Sequence, residues 1–135
     1  MSEPTPKEAF LDDPILQRRL RLRTFANPDT KTDYLSLHEG TLLQDKIAVS
    51  LAYVPDKLLL QSHSFAAYLD GLVTPDLLSL EALALMLKED FNNEVVPRWV
   101  QIRLVHSADR THGVIVVDEQ PRWSNPALLS RLSVI

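Results

Sequence analysis

The chain has 135 residues, 14 Lys and Arg against 18 Asp and Glu, a net charge of −4 and no Cys. That length suits one domain, able to bury roughly two-thirds of the surface its unfolded chain exposes. The acidic balance argues against a dedicated nucleic-acid binder. The missing Cys excludes disulfides, zinc–thiolate sites and a thiolate nucleophile.

Residues 1–14 are polar and carry no apolar core of the signal-peptide kind, and no apolar run is long enough to span a bilayer. The expectation is a cytoplasmic chain with no membrane partner. Asp13-Pro14 reads as the start of a short helix over residues 15–20. The four Arg between Arg18 and Arg23 read as a solvated face, or as a contact for phosphate or an acidic partner. Phe25-Ala26-Asn27-Pro28-Asp29 is turn chemistry.

Two strands are expected at residues 34–43 and 46–54. In the second, Ile47, Val49, Leu51 and Tyr53 alternate with Ala48, Ser50 and Ala52. Either Gln44-Asp45 or Glu39-Gly40 turns this hairpin, and Pro55-Asp56 ends it. A helix then starts from a cap at Ser62 or Ser64, runs to Leu69 and stops at Asp70-Gly71. Thr74-Pro75-Asp76 breaks the chain. Ser79 opens a second helix with Leu80, Leu83, Leu87 and Phe91 at helical spacing, ended by Asn92-Asn93.

Residues 99–105 and 114–117 are β-rich, separated by a polar turn from His106 to Gly113. In the tail, residues 121–135, Leu128, Leu129 and Leu132 suggest a short amphipathic helix that caps the core or meets a subunit. The fold class is therefore α+β, an antiparallel sheet with both helices on one face. Its open sheet edges favour a homo-oligomer.

Chemistry is sparse. There is no phosphate-binding glycine loop, nucleophile elbow or calcium loop. His106 and His112 bracket the last turn and could converge on a metal, but no third ligand accompanies them, and the alternative is a solvated turn. His38 with Glu39 suits acid–base work or a surface pair on an edge strand. His63 lies between two Ser at a helix start, as the polar neighbour of a cap. Glu81, in the first turn of the second helix, is either a residue favoured by the helix dipole or a carboxylate that accepts two N–H groups from a purine or pterin edge.

Several segments together resemble the NADPH-dependent 7-cyano-7-deazaguanine reductases, nitrile reductases of the tunnelling fold. Phe25-Ala26-Asn27-Pro28 with Tyr34 resembles that family's Phe-x-Asn-Pro…Tyr. Ala52-Tyr53-Val54-Pro55-Asp56 is similar to its Tyr-Ile-Pro-Asp. Gln61 to Leu69 sits on its Glu-Ser-Lys-Ser-Leu-Lys-x-Tyr-Leu. Pro97-Arg98-Trp99-Val100 resembles Pro-Arg-Tyr-Leu, and Arg110-Thr111-His112-Gly113-Val114 resembles Arg-Gly-Gly-Ile. The similarity spans residues 25–117.

The resemblance implies a tunnelling-fold domain at 25–118, between an N-terminal arm and short helix (1–24) and a C-terminal tail (119–135). It also implies an oligomeric barrel with ligand sites between subunits. Glu81 falls on the carboxylate that anchors the deazapurine, while Leu80 replaces a neighbouring His.

The departures are chemical. The family's Cys nucleophile has no counterpart. Gap-free counting puts His38 and Asp45 at the positions of that Cys and its assisting Asp, whereas a deletion of the Cys-bearing loop accounts better for the shortness of residues 34–53. The two Lys that hold NADPH phosphates become His63 and Ala66, leaving Ser62, Ser64 and Tyr68 of that motif. No cofactor is therefore expected, and NADPH is implied by the resemblance alone.

The expected function is binding of a purine-, deazapurine- or pterin-like ligand at a subunit interface through Glu81, assisted by Ser62, Ser64 and Tyr68. The alternatives are a non-covalent acid–base enzyme using His38, Asp45 or His112, and a scaffold acting through the Arg18–Arg23 segment or the Trp123 tail.

Overall fold

The computed structural model describes residues 18–72 and 79–132. The expected helix start at Asp13-Pro14 and the expected break at Thr74-Pro75-Asp76 lie outside them. The fold is α+β. Strands β1 (Thr24–Ala26), β2 (Ser36–Leu42), β3 (Ile47–Val54) and β4 (Leu58–Leu60) precede helices α1 (Ser62–Asp70) and α2 (Leu80–Val95); β5 (Trp99–His106), β6 (Gly113–Glu119) and the short α3 (Pro126–Leu129) follow. One antiparallel sheet has the order β2-β3-β5-β6, and β1 pairs with β4 in a separate ribbon.

The alternation in β3 decides which face meets the helices. Ile47, Val49, Leu51 and Tyr53 join Phe65 and Leu69 of α1 and Leu83, Leu87 and Phe91 of α2 in the main core. Gly40 of β2 keeps α1 close, since a Cβ there would lie 2.8 Å from Leu69 Cδ1. Ala52 and Val54 face the other way and, with Trp99, form a smaller cluster under Leu35, Trp123, Leu128, Leu129 and Leu132. The C-terminal leucines, two of them on α3, thus cap the face of the sheet opposite α1 and α2.

Several expectations need correction. Phe25 and Ala26 belong to a strand, because β1 finds its partner in β4 at the register Phe25↔Leu59. Glu39 and Gly40 lie within β2, so the hairpin turns through Leu43, Gln44 and Asp45, all at positive φ. Neither Ser62 nor Ser64 caps α1, whose N-cap is Gln61. Ser79 does cap α2, accepting the Ala82 N–H.

Asn92-Asn93 does not end α2. Asn93 donates to the Glu89 carbonyl and Asn92 to Asp118, and the helix continues until Val96 turns into the left-handed region ahead of Pro97. No helix among the described residues is long and apolar enough to cross a membrane.

Candidate functional site

Glu81 lies in the first turn of α2, where unpaired N–H groups favour a carboxylate. The β5–β6 turn brings His112 to it, and His112 Nε2 donates to Glu81 Oε1 at 2.7 Å. Both side chains remain more than half exposed. The Glu81 carboxyl is held below the usual carboxylate range, chiefly by its own backbone N–H at the helix start and further by His112. The result is an ionised, oriented carboxylate with free lone pairs, able to accept a pair of N–H donors.

The other expected site residues do not gather around Glu81. Ser64 is buried; it accepts the Arg23 N–H and donates to the Gln61 carbonyl at 2.7 Å. Ser62 and His63 are exposed on the first turn of α1. Tyr68 is 1% exposed and donates to Asp90 Oδ2, itself fully buried on α2. Burial, and then the neighbouring Asp90, pushes the Tyr68 phenol well above its ordinary value.

Arg18 forks onto the same Asp90 carboxylate and Arg19 reaches it at 3.4 Å, while Arg21 donates to the Gly71 carbonyl. This corrects the solvated-face reading for Arg18 and Arg19, whereas Arg21 and Arg23 are exposed. A buried carboxylate demands cations, and the segment before β1 supplies them.

His38 lies between sheet and α1, stacked on Tyr53 at 6.0 Å and edge-on to Phe65 at 5.9 Å. Its Nε2 is buried with no hydrogen-bond partner among the described residues, and burial holds its pKa below the ordinary value. Asp45 accepts from Thr41 in the hairpin turn. His38 and Asp45 therefore occupy separate places, one in the helix-facing layer and one at a strand end. Among the described residues no group of three or more His, Asp or Glu could hold a metal, and His106 is exposed.

A second polar cluster lies at the opposite end of β3, where residues distant in sequence meet. Arg98 binds Asp33 at 2.8 Å and Asp56 at 3.3 Å. Gln120 donates to Asp56, while Trp123 and Asn125 donate to Asp33. Asn27 donates to the Asp56 carbonyl and accepts from Tyr34. Burial opposes ionisation of Asp33, but the bonds from Asn125, Arg98 and Trp123 together hold its carboxyl below the usual range.

The sequence reading did not single out Asp90 or Asp33. Asp90 left a signal, since it follows Leu87 by three residues on the buried stripe of α2. Asp33 left none, because its partners are as far away as Asn125. Compared with models of known protein families and with curated proteins, the chain matches none.

Proposed function

We propose that the chain is a tunnelling-fold binding protein related to the nitrile reductases, which takes a purine-, deazapurine- or pterin-like ring on Glu81 at an interface between copies of itself. The observation that carries this reading is the Glu81 carboxylate, exposed, ionised and oriented by His112. The arrangement of the fold supports it, because β2 and β6 both end the sheet with no partner strand among the described residues. The kinship gains support from Asn27, Tyr34, Asp56 and Arg98, which come from three of the similar segments and meet in one polar cluster.

Reduction of a nitrile through a covalent thioimide has no place here, since the chain has no thiol. Nor does His38 stand in for one, because its ring is packed between Tyr53 and Phe65.

Calorimetric titration with purines, 7-deazapurines and pterins tests the proposal on wild type and Glu81→Gln in parallel. Saturable binding is expected in the wild type. The variant should lose about tenfold or more in affinity, because the amide replaces one of two charge-assisted acceptors with a donor. Equal binding by both proteins, or none by either, would overturn it.

A further inference from the structure

The face of the sheet opposite α2 carries a concavity that the Glu81 site does not use. One row across its floor is Glu39, Ser50, Arg103 and Ile115; the next is Leu37, Ala52 and Gln101. Leu132 of the C-terminal segment also lines the groove, whose volume is about 290 Å³. That is the scale of a small organic molecule.

Charge and polarity are unevenly divided along it. Arg103 is half-buried, and every ion pair among the described residues uses other side chains. Its guanidinium therefore lines the groove with no carboxylate partner among them. Leu37 on the edge strand β2 and Ile115 on the opposite edge strand β6 give the groove apolar sides, and they are 64% and 53% exposed. A half-buried guanidinium with no carboxylate partner among the described residues holds a ligand carboxylate in a paired, charge-assisted bond. Glu39, across Ser50 in the same row, repels a second negative charge.

We infer that this groove is a second binding site, for a small amphiphilic monocarboxylate. Its carboxylate sits on Arg103 with Gln101 and Ser50 as further hydrogen-bonding groups, and its flat apolar body lies on Ala52, Leu37 and Leu132. The site is independent of Glu81 and stands whether or not a heterocycle binds there.

The test is titration of the full chain with 2-naphthoate, the neutral 2-naphthamide and the cationic 2-naphthylmethylammonium. Only the carboxylate is expected to saturate at sub-millimolar concentration. Arg103→Gln should weaken it about tenfold or more, Arg103→Lys should restore part of the loss, and Leu37→Ala should weaken it without changing the preference for the anion. Glu81→Gln should leave it unchanged, which keeps this outcome separate from that of the heterocycle titration. Equal affinity for the three probes, no saturation by naphthoate, or full affinity in Arg103→Gln would overturn the inference. So would naphthoate dissociating an oligomer, which would assign the groove to a second copy of the chain.

Discussion

Asp90 concentrates more interaction on one side chain than any other residue described. A fully buried carboxylate is tolerated only when cations and donors satisfy it, and Arg18, Arg19 and Tyr68 do so. Asp90→Ala leaves the guanidinium and the phenol facing an empty place. It is expected to lower the unfolding free energy by about 3–5 kcal/mol in urea titration. Tyr68→Phe should cost about 1–3 kcal/mol in the wild type and much less in the Asp90→Ala background, since its hydrogen bond is then already gone.

His38 makes the opposite contribution. In the unfolded chain it takes up a proton near 6.5, whereas burial against Tyr53 and Phe65 resists that proton in the fold. The unfolded state then binds more protons below that pH, so stability is full above about 6.5 and falls as pH drops toward the depressed native value. Unfolding curves at pH 7 and 5 should show the loss, and His38→Phe should remove most of the difference.

At the scale of elements, α2 ends under strain. Val96 closes the helix at φ 50°, a left-handed conformation that costs a β-branched residue about 1–2 kcal/mol, and Pro97 denies it the right-handed alternative. Val96→Gly is expected to raise stability by about 1 kcal/mol, visible as a higher melting temperature, while Val96→Ala should gain little.

The same scale explains what the sequence made legible. The alternation of β3 and the leucine spacing of α2 are each long enough to declare a face, and Ser79 announces its helix by capping it. β1 and β4 have three residues each, too few for a period, and they become strands only by pairing across a gap of some thirty residues. Their existence is a tertiary fact. The candidate site divided likewise. Glu81 could be placed on a first turn from sequence, but His112 reaches it from the far hairpin. Tyr68 looked available because its partner Asp90 was hidden in an apolar stripe.

For the whole molecule, the question is what meets the edges of the sheet. β6 presents Val117 at 51% exposure, and a strand with open backbone groups and apolar side chains invites another strand. Sedimentation equilibrium is expected to return a multiple of 15.3 kDa. Val117→Lys, which puts a charge on that strand, should shift the population toward the monomer.

The two faces of the sheet also differ optically. The chain has two tryptophans. Trp99 sits in the small cluster with Ala52 and Val54, and Trp123 packs against that same cluster while its indole N–H reaches Asp33. Neither belongs to the helix-side core, so tryptophan fluorescence watches this face of the sheet and the C-terminal segment docked on it. Far-ultraviolet dichroism watches mainly α1 and α2. A melt followed by both signals therefore compares the two sides of one sheet. Superimposed curves mean that the tail and the helical layer come apart in a single cooperative event.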